Sequence, residues 1–126
     1  MLMTLGFGAA RAATPADLLA ALESEAQRQS GVPIQTSATR GEAFFSARHR
    51  DWSCVSCHTA DPRGDGRHIV TGKRIRPMAP ATNSERFTDR AKTDKWFRRN
   101  CQDVLGRPCS VSEQADVVAY LISLRK

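Results

Sequence analysis

Four cysteines, a histidine and an asparagine are the residues of this sequence whose spacing suggests chemistry. Cys54 and Cys57 stand on either side of two residues in "CVSCH", and His58 follows at once. A bare Cys-x-x-Cys allows a redox dithiol or half a zinc site. The adjoining histidine narrows the choice. Two thiols on one helical turn can add to the two vinyl groups of one heme, and the next residue is then held under the ring with its imidazole at the iron. A thioredoxin-like motif has no such constraint and usually follows a strand, which "SARHRDW" does not resemble. A zinc site needs further ligands, and His68 is the nearest spare candidate. The spacing therefore predicts one covalent heme c, attached through Cys54 and Cys57, with His58 as an axial ligand.

The second cysteine pair lies in "WFRRNCQDVLGRPC", Trp96 to Cys109, where Cys101 and Cys109 bracket a segment with Gly106 and Pro108. Heme is attached to such motifs outside the cytoplasmic membrane, and in an oxidising compartment a Cys101–Cys109 disulfide is the natural reading. Closing so short a loop stabilises by only ~2–3 kcal/mol on the chain-entropy model. The start of the chain fits export. "MLMTLGFGAARAATPADLL" has an apolar stretch from Leu2 to Ala10 and a small-x-small pattern at Ala10-Arg11-Ala12. No positive region precedes it, so residues 1–13 read as a signal peptide truncated at its N-terminus, and 14–126 as the domain, with the periplasm as its location.

Composition bounds the rest. With 126 residues the chain is one domain, small enough for a cofactor to supply much of its core. The net charge of +6 favours anionic partners, but 13 acidic residues are interspersed and no recognition motif accompanies the charge, so nucleic-acid binding is not expected. No apolar run approaches the roughly 20 residues of a transmembrane helix.

Elements that could position the site are legible. Ala16 to Gln29 is rich in helix formers, with Leu18, Leu22 and Ala26 on one face and Thr14-Pro15 as a start. A second helix begins near Thr39 and carries Gly41, Phe44 and Phe45. Residues 60–86, with Pro62, Pro77, Pro80 and several glycines, read as a wrapping loop. A third helix is capped by Thr88 and ends at Asn100. In the fourth, Ser110 and Glu113 make a capping-box pattern before the apolar face of Val117, Val118, Leu121, Ile122 and Leu124. The fold class is all-α, helices wrapped around one covalently bound heme.

On these residues the chain resembles a class I cytochrome c: Gly41 and Phe45 on an early helix, "CVSCH", and a final "ADVVAYL" helix. It is similar, more specifically, to the sphaeroides heme protein group, high-spin cytochromes c with an asparagine ligand. The carrying segments are "TGKRIRPMAPATNSERFTD", "KWFRRNCQDVLGRPC" and "EQADVVAYL". The resemblance spans most of Gly41 to Leu124, and Trp-x-x-x-Asn-Cys is its most specific part. It implies His58 as proximal ligand, Asn100 as distal ligand in the oxidised protein, and a Cys101–Cys109 disulfide. It further implies loss of Asn100 on reduction, binding of oxygen or nitric oxide at the freed iron, with or without turnover, and electrons from a diheme cytochrome c.

Read without the resemblance, the distal position has three candidates. Met78 in "RPMAP" is a rival, since methionine beside proline is the usual ligand of electron-transfer cytochromes. Only 20 residues separate it from His58, however, against 42 for Asn100, which directly precedes the linker to the last helix. An open or water-filled site is the third. An amide is a weak donor that suits ferric iron better than ferrous iron, whereas methionine would make a simple electron-transfer cytochrome. His49 and His68 read as solvated surface residues. Lys73, Arg74 and Arg76, and Lys92, Lys95, Arg98 and Arg99, could face heme propionates or an acidic redox partner, or simply solvent.

Overall fold

The computed structural model describes residues 13–126. The signal-peptide segment expected at 1–13 therefore lies, but for its last residue, outside the described residues.

The first helix, α1 (Pro15–Ser30), begins where its cap places it: Thr14 Oγ1 accepts from Asp17 N–H at 3.1 Å, and the Asp17 carboxylate accepts from Thr14 N–H at 3.0 Å. Gly31, at φ 74°, ends it. Helix α2 (Ala38–Ser46) starts one residue before the expected Thr39, because Ser37 caps it. The heme-motif residues form a single turn, α3 (Val55–His58). The wrapping loop contains a two-residue antiparallel ladder, β1 (Gly66–Arg67) with β2 (Arg74–Ile75), in the register Gly66 to Ile75 and Arg67 to Arg74. Otherwise the domain is helical, as a class I cytochrome c fold requires. Helix α4 (Arg90–Leu105) and helix α5 (Val111–Ser123) complete it.

Two boundaries of α4 differ from the sequence reading. Asp89, not Thr88, is its cap, the carboxylate accepting from Lys92 N–H at 3.0 Å. The helix also runs past Asn100 to Leu105 and stops at Gly106, φ 71°. The residues 101–105 are competent helix formers, and the true stop signal is the glycine.

Helix α5 packs on both α1 and α2. Leu18 and Leu22 from α1, Phe45 from α2, and Val117, Val118 and Leu121 from α5 share one buried cluster. The α2–α5 crossing is close because Gly41 has no side chain: a Cβ there would overlap the Asp116 carbonyl oxygen. Asp116, 9% exposed, closes the same junction, its carboxylate accepting from Ser37 N–H at 2.8 Å and from Arg40 Nε at 2.9 Å. The buried charge thus has both a cation and a helix N-terminus as partners.

This crossing predicts a steep cost for added volume. Gly41→Ala should lower stability by about 3 kcal/mol, through backbone separation that no rotamer change relieves. Gly31→Ala meets nothing within 4 Å and should cost only about 1 kcal/mol for its left-handed backbone. Denaturant titration of the two variants checks this, and equal losses would contradict it.

Candidate heme site

The site is built on α3. His58 is only 3% exposed, and among the described residues neither of its ring nitrogens has a hydrogen-bond partner. Buried polar atoms are nearly always paired, so an orphaned imidazole marks a place for a ligand. Burial drives the His58 pKa down to about 4; the Arg86 guanidinium adds to the fall. The ring is therefore neutral at ordinary pH, with a lone pair to donate. The Asn100 side chain opposes the fall, lying near the imidazole without making a well-formed hydrogen bond to it.

Cys54 and Cys57 are both free thiols flanking this turn. Burial pushes the Cys54 thiol up to about 11, so it is held as a neutral thiol. Among the described residues no three His, Cys, Asp or Glu side chains converge, and Cys54 and Cys57 have no companions for a zinc site. Thr59 at φ 64° turns the chain away directly after His58. Gly66 then lets the β1–β2 ladder close on the motif, since a Cβ there would overlap the Cys57 carbonyl oxygen. Ile69 N–H reaches Cys57 Sγ at 3.4 Å. Nothing in the sequence marked Gly66 as different from the other glycines of the loop.

The opposite wall comes from α4. Cys54 and Asn100 line one small apolar pocket with Phe44, Trp96, Phe97 and Leu105. Asn100 Nδ2 donates to the Trp96 carbonyl at 2.9 Å. A carbonyl can only accept, so this bond assigns the amide nitrogen and leaves Oδ1 out of the contact with Trp96. Trp96 stands 5.7 Å, centroid to centroid, from the His58 ring, and Phe45 stands 5.9 Å from it on the core side. Cys101 and Cys109 are bonded, with Cα atoms 5.6 Å apart, so the bridge ties the last turn of α4 to the residue before the Ser110 cap.

Met78, the other distal candidate, lies in the same buried cluster as Phe45, Phe87 and Phe97, against which Trp96 packs. Met78 is 1% exposed, and its N–H donates to the Pro62 carbonyl at 3.0 Å, which pins it to the loop that follows His58. His49 and His68, expected as solvated surface residues, are half-exposed, and each also contacts the backbone. His49 Nε2 lies 2.9 Å from the Phe44 carbonyl, and His68 Nδ1 accepts from the Val70 and Thr71 N–H groups at 3.2 and 3.1 Å. Arg74 pairs with Asp65 and Arg76 with Glu85, each at 2.7 Å.

A neutral buried imidazole with two free thiols on its own turn fits heme c, and the helical fold around it is that of a c-type cytochrome with a single covalently bound heme. Comparison with known proteins agrees. The family model described as "Domain of unknown function (DUF1924)" matches residues 32–121. Cytochrome c″ of Methylophilus methylotrophus is 43% identical over 95 residues, 71% of this chain and 66% of that protein. The cytochrome c-type protein SHP of Cereibacter sphaeroides is 41% identical over 113 residues, 86% of this chain and 82% of that protein. The chain belongs to this family, that of the sphaeroides heme protein. The structure of oxidised SHP, described as an oxygen-binding cytochrome c, superposes with a TM-score of 0.77 at 37% identity, covering 90% of this chain and all of that one. A solution structure of cytochrome c″, concerned with haem-ligand detachment, also gives 0.77 at 37% identity over 89% of this chain and 94% of that one.

The bridge makes a stability prediction. Replacing Cys101 and Cys109 together by serine should cost ~2–3 kcal/mol on the chain-entropy model. Guanidinium unfolding of the heme-loaded protein, with and without a thiol reductant, checks it. A loss that the reductant does not reproduce in the parent would contradict the assignment.

Proposed function

We propose that this protein is a periplasmic monoheme cytochrome whose oxidised iron is held between His58 and Asn100, and which binds oxygen or nitric oxide there after reduction. The bound heme supplies a one-electron couple and one exchangeable coordination position. Everything else falls to the chain. Cys54 and Cys57 hold the group covalently, and His58, kept neutral by burial, faces one side. Asn100 would face the other, with its Nδ2 donating to the Trp96 carbonyl and its Oδ1 left out of that bond. That amide, on α4 and close to a buried imidazole with no hydrogen-bond partner among the described residues, is the observation that carries the reading.

An amide oxygen is a hard, weak donor that suits ferric iron and is readily lost from ferrous iron. The relative SHP is described as oxygen-binding, and work on cytochrome c″ concerns ligand detachment; both support the same behaviour here. Electrons would come from another cytochrome, a diheme cytochrome c in our reading. Periplasmic location rests on the heme-attachment motif and on the small-x-small pattern near the start of the sequence.

Absorption spectra of the parent, Asn100→Ala and Met78→Ala test the proposal. Asn100→Ala should alter the ferric spectrum and Met78→Ala should not, and the ferrous parent should bind carbon monoxide. If only Met78→Ala changes the ferric spectrum, and the ferrous parent refuses carbon monoxide, the protein is a simple electron-transfer cytochrome instead.

A further inference from the structure

Arg86 is an arginine without a carboxylate. Among the described residues no ion pair reaches it, although its guanidinium is partly withdrawn from water and burial lowers its pKa. Two backbone carbonyls hold it: Nε donates to Pro77 and Nη2 to Arg76, both at 3.2 Å. Guanidinium has five N–H donors, so most of the fork remains unused. The neighbouring basic residues are different. Arg74 and Arg76 are matched by Asp65 and Glu85 at the exposed rim.

The backbone around Arg86 is specified at some cost. The next residue, Phe87, is 3% exposed and holds φ 60°, a left-handed conformation that bulky residues rarely adopt. Asn83, 5% exposed, ties the same loop by donating to the Pro77 carbonyl at 3.0 Å. Arg86, Asn83, Thr93 and Trp96 line a cleft of about 490 Å³, with the exposed Arg76, Glu85 and Lys92 also on its walls. Trp96 in turn stands beside His58. The cleft therefore ends at a ring that neighbours the buried imidazole.

A c-type heme brings two carboxylates with it, and a half-buried cation with unused donors beside its pocket is what one of them needs. We propose that Arg86 is the anchoring cation for a heme propionate, so that the polar edge of the group lies along the cleft of Arg86, Asn83 and Thr93. Lys73, Arg74 and Arg76, the sequence's more obvious candidates, are left to the surface. The inference rests on the covalent heme and is independent of Asn100 as a ligand.

The test uses the heme-loaded protein and reads the midpoint potential rather than activity. Removing the cation leaves the propionate uncompensated and favours ferric iron, so Arg86→Gln should shift the reduction equilibrium at least about tenfold toward the oxidised state, some 59 mV for one electron. The shift should persist at high ionic strength, because a buried contact is poorly screened. Arg86→Lys should recover part of it. Arg76→Gln and Lys92→Gln, each removing an exposed charge, should give small shifts that salt abolishes. A potential unchanged in Arg86→Gln, or a shift no larger than that of Arg76→Gln, would overturn the assignment. A parent potential that varies with phosphate at constant ionic strength would also overturn it, because Arg86 would then serve a dissolved anion. Should Arg86→Gln fail to retain a native ferric spectrum, Arg86→Lys decides: a salt-resistant shift in the same direction supports the contact, and none refutes it. The ferric spectra of these variants should match the parent, which separates this result from any failure of Asn100 as a ligand.

Discussion

Among the described residues neither nitrogen of the His58 ring finds a hydrogen-bond partner, although the side chain is almost wholly buried. In a protein without a prosthetic group this would be a plain defect, because water has been removed and nothing replaces it. Most of the architecture follows from filling that gap. α3 is one turn long, enough to set two thiols and an imidazole around a single point. β1 and β2 close over its Cys57 end, and α4 supplies the facing wall. α1, α2 and α5 form the body against which Phe45 seats the imidazole.

The body stands on its own chemistry. The Gly41 crossing and the Asp116 cluster fix α2 against α5, and α2 leads toward the heme motif. A bundle anchored this way holds one side of the pocket still, while α4 stands apart from that junction and is tied to α5 through the Cys101–Cys109 bridge. The two walls of the pocket are thus carried by different parts of the fold.

How much of this was legible in the sequence varied with how local the signal was. The heme motif is covalent chemistry written at fixed spacing, and it could be read directly. The capped helices were readable for the same reason: Thr14 with Asp17, and Ser110 with Glu113, are contacts between residues three apart. The end of α4 was misplaced because Asn100 and Cys101 sit beside a loop-like Gly-Arg-Pro, although nothing before Gly106 breaks a helix. Arg86 and Gly66 were missed because what distinguishes them is tertiary. One is an arginine that meets no carboxylate among the described residues, and the other is a glycine pressed against a distant carbonyl. His49 and His68 looked like surface residues because their partners are backbone carbonyl and amide groups, which carry no sequence signature.

The position of Asn100 inside α4 has a kinetic meaning. Had it stood in a loop, vacating the iron would involve the backbone, on the slower timescale of loop motion. Its φ and ψ are instead those of a hydrogen-bonded helix, and only two side-chain torsions remain to turn. On the ligation proposed above, opening the coordination site would then turn the side chain alone, with the helix backbone left in place. Such a gate would be tuned by two torsions and by the Nδ2 bond to the Trp96 carbonyl, rather than by the stability of a loop.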